Sequence, residues 1–142
     1  MKIAGLDVGS KTIGFAVSDP FGWTAQSITT VQWNEKDIYS ADHSLRELFK
    51  EHEVEKVVIG YPKNMDGSIG ERGIKSERYA QHIENRMKIP TILWDERLST
   101  MAAERTLLEA DMSRKKRGKV IDQVAASIIL QSYLDAQSKG VT

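Results

Sequence analysis

The chain has 142 residues, of which 20 are basic and 20 acidic, and it has no cysteine. That length suits one domain with a real buried core, the balanced charge means that any nucleic-acid surface must be local, and the lack of thiols excludes a disulfide scaffold and any thiolate metal site. No apolar run approaches the roughly 20 residues of a membrane span and no apolar leader opens the chain, so the expected location is the cytoplasm.

Two short apolar runs, residues 3–8 and 12–17, flank the turn formers Gly9, Ser10 and Lys11, which predicts a tight β-hairpin. Alternation along a strand puts Ile3, Gly5 and Asp7 on one face and Ala4, Leu6 and Val8 on the other. Asp7 is therefore a carboxylate at the end of an apolar strand, beside glycines that leave room for a ligand. Burial of a lone carboxylate is costly unless it is paired or metal-bound. The alternative is a turn cap, with Asp19 doing the same at the hairpin's far end.

Residues 25–32 read as a third antiparallel strand. Residues 37–52 carry Ile38, Ala41, Leu45, Leu48 and Phe49 at helical steps of three and four. Lys-Val-Val-Ile-Gly at 56–60 is a buried strand, and 63–73 is a glycine-rich polar loop. Tyr79, Ala80, Ile83 and Met87 mark a helix over 74–87, followed by a strand at 90–95. Ser99 or Thr100 starts a third helix through 112, and 120–137 forms a long final helix. The order predicts an α/β fold: a five-stranded mixed sheet, a three-strand antiparallel meander plus two parallel strands, flanked by helices. With no linker or repeat in view, residues 1–142 read as a single domain.

Open sheets of this kind bind ligands beyond the carboxyl ends of their parallel strands. That edge would gather Asp7, the 63–73 loop and the segment Asp95-Glu96-Arg97. Alternation sends Asp95 and Glu96 to opposite faces, so only one can join Asp7; a frayed strand end, with Glu96 paired to Arg97 or Arg105, is the plainer reading. Asp122 shares its helix face with Ala125, Ala126, Ile129 and Tyr133. With nothing basic on that face, a metal is a reasonable partner, a first-turn role with the helix dipole being the alternative. Three such carboxylates suit Mg²⁺ or Mn²⁺. His43, His52 and His82 fall at no ligand spacing and read as surface residues, so zinc is disfavoured. A pair of hard cations about 3.5–4 Å apart would activate water for phosphodiester hydrolysis.

Four blocks then stand out: 6–14 (Leu-Asp-Val-Gly-Ser-Lys-Thr-Ile-Gly), 62–67 (Pro-Lys-Asn-Met-Asp-Gly), 95–100 (Asp-Glu-Arg-Leu-Ser-Thr) and 120–126 (Val-Ile-Asp-Gln-Val-Ala-Ala). Together and in this order they closely resemble the YqgF/RuvX family, described as candidate Holliday junction resolvases and candidate nucleases for the 5′ end of pre-16S ribosomal RNA. The resemblance implies an RNase H-like fold and a divalent-metal nuclease in the cytoplasm. It assigns the catalytic and metal-binding carboxylates to Asp7, Glu96 and Asp122 and leaves Asp95 as a neighbour. Ala125 stands where the related RuvC resolvases carry a further acid, and Tyr61 and Lys63 where leucines are common in the family.

Residues 113–119, Ser-Arg-Lys-Lys-Arg-Gly-Lys, are the main electrostatic signal and read as a basic loop leading to the Asp122 helix. Arg114, Lys115, Lys116, Arg117 and Lys119 would bind the nucleic-acid backbone, joined by Lys11, Lys63, Asn64 and Arg97, with Arg72 and Lys75 extending the track. The plainer reading of such a run is a solvated loop. Trp23, Trp33 and Trp94 would stack on bases or simply pack. The resemblance favours structured RNA, in ribosome biogenesis, over a DNA junction, and a monomer or weak homodimer. Two other classes share these features: an actin-type or sugar-kinase ATPase, whose phosphate loop the 7–12 hairpin resembles but which needs two such domains, and a non-catalytic nucleic-acid-binding module.

Overall fold

Alternating apolar residues at the start of the chain form three antiparallel strands, β1 (Lys2–Val8), β2 (Thr12–Ser18) and β3 (Ala25–Gln32). The computed structural model describes residues 2–101 and 114–138, with side chains from Val124 onward in the second stretch. The β1–β2 turn closes through the Gly9 N–H on the Thr12 carbonyl at 2.9 Å. Trp33 pins the same turn, its indole N–H donating to the Gly9 carbonyl at 3.0 Å. Strands β4 (Val54–Tyr61) and β5 (Thr91–Asp95) add in parallel on the other side of β1, giving the order β3-β2-β1-β4-β5. Helices α1 (Asp42–Glu51) and α2 (Glu71–Met87) precede and follow β4; a 3₁₀ turn (Glu96–Leu98) follows β5, and α3 (Arg114–Ser138) ends the described chain. This is the mixed sheet that the pattern predicts.

The central strand β1 is buried on both faces, which is why it reads as a nearly continuous apolar run. Ala4, Leu6 and Val8 pack with Leu45 and Phe49 of α1 and Tyr79 and Ile83 of α2. On the opposite face Val58 and Trp94 pack under Ala125, Ala126, Ile129, Leu130 and Tyr133 of α3. Each large apolar side chain so buried contributes about 1.5–3 kcal/mol. Gly5 makes no space for a ligand; it lets α3 close on the sheet. A Cβ there would lie 2.7 Å from Leu130 Cβ and 2.8 Å from the Ala126 carbonyl oxygen.

Three expectations change. Helix α1 begins at Asp42 because Asn34 and Asp37 draw the preceding backbone into turns: their side-chain oxygens accept from Lys36 N–H at 3.0 Å and Tyr39 N–H at 3.1 Å. The basic run is helical from Arg114, since Lys and Arg are good helix formers and a single Gly118 costs only about 1 kcal/mol. His82 is buried between α1 and α2, bonded to Asp42 at 2.7 Å, with Arg86 Nε on the second Asp42 oxygen at 3.2 Å. It shares the packed face of Tyr79 and Ile83. The helix expected up to residue 112 lies outside the described residues beyond Met101.

Candidate active site

Asp7 is 1 % exposed and occupies the penultimate position of β1. Its cross-strand partner on β2 is Gly14. On the other side the register Leu6↔Ile59 brings Gly60 of β4 alongside it, and Gly60 in turn pairs with Trp94 of β5. The aspartate is thus flanked by residues without side chains. The hairpin turn closes through backbone groups, so Asp7 is not needed as its cap.

Glu96 reaches this row from β5. It opens the 3₁₀ turn, where strand alternation no longer applies, and is 8 % exposed. Its Oε2 lies over Gly60, only 2.8 Å from where a Cβ on that glycine would stand, with Ile129 Cδ1 at 2.4 Å from the same point. Two carboxylates 89 residues apart in sequence therefore share the α3 side of the sheet at Gly60, Asp7 on the neighbouring strand, about 4.8 Å away, and Glu96 Oε2 over the glycine itself. Asp95 turns elsewhere. It accepts from the Arg97 backbone N–H at 2.9 Å and from Arg97 Nη2 at 2.8 Å, and Lys63 Nζ is 3.9 Å away. The Arg97 guanidinium holds its carboxyl below the usual range. Asp95 caps the turn that aims Glu96.

Arg72, on the first turn of α2, brings Nη2 to 3.6 Å from Asp7 Oδ1. Before it, the loop after β4 is built from short bonds: Gly67 N–H to the Asn64 carbonyl at 2.9 Å, and the Ser68 N–H and hydroxyl to Asp66 Oδ1 at 2.9 and 2.6 Å. The Ser68 hydroxyl is the main cause of a lowered Asp66 pKa. Gly67 has φ 89°, a conformation that a side chain would strain.

Of the cations expected on nucleic acid, Lys11 is exposed in the β1–β2 turn, at the same sheet edge as Asp7. Lys63 and Arg97 converge on Asp95, and Lys63 Nζ also lies 5.2 Å from the Tyr61 ring centre. Asn64 is exposed and engaged in its turn. Arg114, Lys115, Lys116, Arg117 and Lys119 fall on the first turns of α3. Asp122 lies in the same helix, one turn before Ala126; the side chains of all six are outside the described residues. Gln131 of α3 bonds Ala25 and Trp23 at the opposite sheet edge, so the backbone of α3 runs from the carboxylate edge away. Trp33 and Trp94 are structural, the latter buried with its N–H on Ser132 Oγ at 3.0 Å. Trp23 is 73 % exposed.

The donor set fits a hard divalent cation: two buried carboxylates of all-oxygen chemistry, with Glu96 Oε2 brought in over Gly60, where a side chain would displace it. Among the described residues no group of three His, Cys, Asp or Glu side chains stands close enough to complete such a site. Nor is it a deep pocket; a cavity of about 720 Å³ beside the 3₁₀ turn is lined by Trp94, Leu98 and Ser132 among others, and by neither Asp7 nor Glu96.

The sequence profile of the RuvX family, described as Holliday junction resolvase, matches residues 1–136. The chain belongs to that family. A RuvX relative from Oceanobacillus iheyensis is 66 % identical over 135 residues, covering 95 % of this chain and 98 % of the relative, and is named "Putative pre-16S rRNA nuclease". One from Listeria monocytogenes serotype 4b, of the same name, is 58 % identical over 135 residues, with the same coverage. RuvC from Thermus thermophilus, solved with a Holliday junction substrate, superposes with a TM-score of 0.62 at 11 % identity, covering 99 % of this chain and 97 % of that one. The fowlpox virus Holliday junction resolvase gives 0.52 at 16 % identity over 96 % and 99 %. These likenesses show that the RuvX chain has the RuvC-type, RNase H-like fold.

Proposed function

We propose that residues 1–142 form one RNase H-like nuclease domain that hydrolyses phosphodiester bonds in structured nucleic acid. The observation that carries this is the register of Asp7 alongside Gly60 together with Glu96 Oε2 over that glycine, at the carboxyl edge where α/β sheets take their ligands. Asp7, Glu96 and Asp122 would hold Mg²⁺ or Mn²⁺. When bound, such an ion supplies an activated water and neutralises charge on the phosphate under attack. The chain's own residues do the rest. β1 and the 3₁₀ turn fix the carboxylates against a dry sheet face. The loop after β4, braced by Asp66 and Arg97, presents Lys63 and Asn64 at the same edge. Lys11 and the basic first turns of α3, Arg114 to Lys119, extend a path for the phosphate backbone, whose neutralisation makes binding strongly salt-dependent.

For substrate we favour precursor 16S ribosomal RNA, trimmed at its 5′ end in the cytoplasm during ribosome biogenesis; the names of relatives at 66 % and 58 % identity support this. A monomer or weak homodimer suffices for that task, whereas resolving a junction needs two facing sites. The test is a cleavage assay with Mg²⁺ or Mn²⁺ that offers precursor RNA and a four-way DNA junction side by side, with Asp7→Asn and Glu96→Gln as controls. RNA cleavage by the wild type, lost by both variants, is the expected result. Selective junction cutting would transfer the site to DNA recombination. Binding without turnover by the wild type would leave a non-catalytic module.

A further inference from the structure

Arg72 differs from the two cations that gather on Asp95. Arg97 is held by side-chain bonds to Asp95, and Lys63 faces the same carboxylate. Arg72 makes no side-chain hydrogen bond to another described residue; it approaches Asp7 at 3.6 Å, beyond the roughly 2.7–2.9 Å of a charge-assisted hydrogen bond. The pair also straddles the surface, for the Asp7 side chain is 2 % exposed and that of Arg72 46 %. Asp7 is fixed by its strand, while the guanidinium has solvent on its outer side and no directional bond to restrain it. Electrostatic attraction alone parks it there.

A buried carboxylate gains little from two cations pressed against it, since they repel one another across a few ångströms. We propose that Arg72 and the divalent cation compete for Asp7, and that Arg72, once displaced, turns its guanidinium onto a phosphate of the nucleic acid at the same edge. The inference rests on the nuclease reading above. In the absence of metal, Arg72 compensates the charge of Asp7. In the loaded complex its planar fork, which matches two phosphate oxygens, becomes a substrate contact. Its position on α2 suits the exchange, because the helix backbone stays still while one long side chain changes partner.

The test compares wild type, Arg72→Gln and Arg72→Lys in two measurements that need no turnover. In calorimetric titration with Mn²⁺ alone, Arg72→Gln should bind the ion roughly fivefold more tightly, as expected for removing one half-exposed charge, and Arg72→Lys should stay near wild type. In saturating Ca²⁺, fluorescence anisotropy with a structured RNA should show the slope of log affinity against log salt reduced by about one for Arg72→Gln, whereas in EDTA, where Arg72 stays on Asp7, the variant and wild type should share one slope. Unchanged Mn²⁺ affinity, or an unchanged slope in Ca²⁺, overturns the exchange. Should Arg72→Gln lose its helical circular dichroism, Arg72→Met, which keeps the packing of the stem, takes its place. Wild type that binds Mn²⁺ and cleaves RNA, with variants that behave identically to it, sinks the role of Arg72 alone. Both shifts in Arg72→Gln, with a wild type that cleaves nothing, sink the nuclease reading and leave the exchange standing.

Discussion

Gly60 is the residue on which the edge depends, because it stands beside Asp7 in the sheet and beneath the Glu96 carboxylate. Its neighbours leave no room for even one carbon: Ile129 Cδ1 and Glu96 Oε2 stand 2.4 and 2.8 Å from the place a Cβ would take. Ile129 is locked in the core on the sheet-facing side of α3, so the carboxylate is the partner that would give way. Gly60→Ala is therefore expected to destabilise the fold by about 1–3 kcal/mol, as overpacked cores do. Cleavage should fall further than the folded fraction accounts for, because Glu96 is pushed off its position. Denaturant unfolding and cleavage rates on the same preparation separate the two effects, and a variant with normal stability and normal rates would show that the glycine has no function here. The choice of Glu96 over Asp95 was not legible from spacing. Alternation said only that the two part company; the 3₁₀ turn and the Arg97 clamp on Asp95 decide which one goes inward, and neither follows from a five-residue strand pattern.

Between elements, the sheet was largely readable and the helix starts were not. Strand β3 covers the span that alternation predicts, and β1, β2, β4 and β5 shift by a residue or two at most. Apolar period cannot see that Asn34 and Asp37 claim the backbone ahead of α1, nor that a run of lysine and arginine already belongs to α3. Buried polar contacts are equally invisible to it. Asp42 and His82 lie 40 residues apart and meet at 2.7 Å between α1 and α2, with Arg86 on the same carboxylate. Asp42→Ala leaves the buried imidazole and Arg86 without their carboxylate, a loss of about 1–3 kcal/mol in chemical denaturation. Residual cleavage should track the folded fraction, since this clamp lies on the face away from Glu96. The β2–β3 loop carries a second polar device. Asp19 accepts from the N–H groups of Phe21, Trp23 and Thr24 and from the Thr24 hydroxyl, which lowers its pKa, the Trp23 N–H contributing most. A carboxyl whose pKa is lower folded than unfolded adds stability above its unfolded value, near 3.9, and loses it as pH falls through the lower folded value. Amide resonances of Trp23 and Thr24 should hold constant down to about pH 4 and move together below it; invariance through that acid range would mean that the loop stands without Asp19.

At the scale of the molecule, the fold turns sequence distance into proximity: β1 contributes one acid, the end of β5 another, and α3 places its basic first turns and Asp122 on a helix that starts toward the same edge. The strand that carries Asp7 is central in the sheet, so its register to both neighbours is set by the core, and Asp7 is held as firmly as the core itself. Sequence periodicity identified Asp7 as the anomaly on its strand, and its two glycine neighbours, Gly14 and Gly60, emerge only from strand order. A site of this kind, with two buried carboxylates held at one sheet edge, should be stabilised by the ion it fits. A divalent cation that binds only the folded chain adds RT ln(1 + [L]/Kd) to its stability, about 2.7 kcal/mol at a hundredfold excess over Kd. For a domain of this size that corresponds to a rise in Tm of roughly 8 °C, at about 3 °C per kcal/mol. Differential scanning calorimetry with Mn²⁺ should show this rise in the wild type and lose most of it in Asp7→Asn and in Glu96→Gln. An equal Mn²⁺ response in all three proteins would place the ion elsewhere and leave the two carboxylates with no metal to hold.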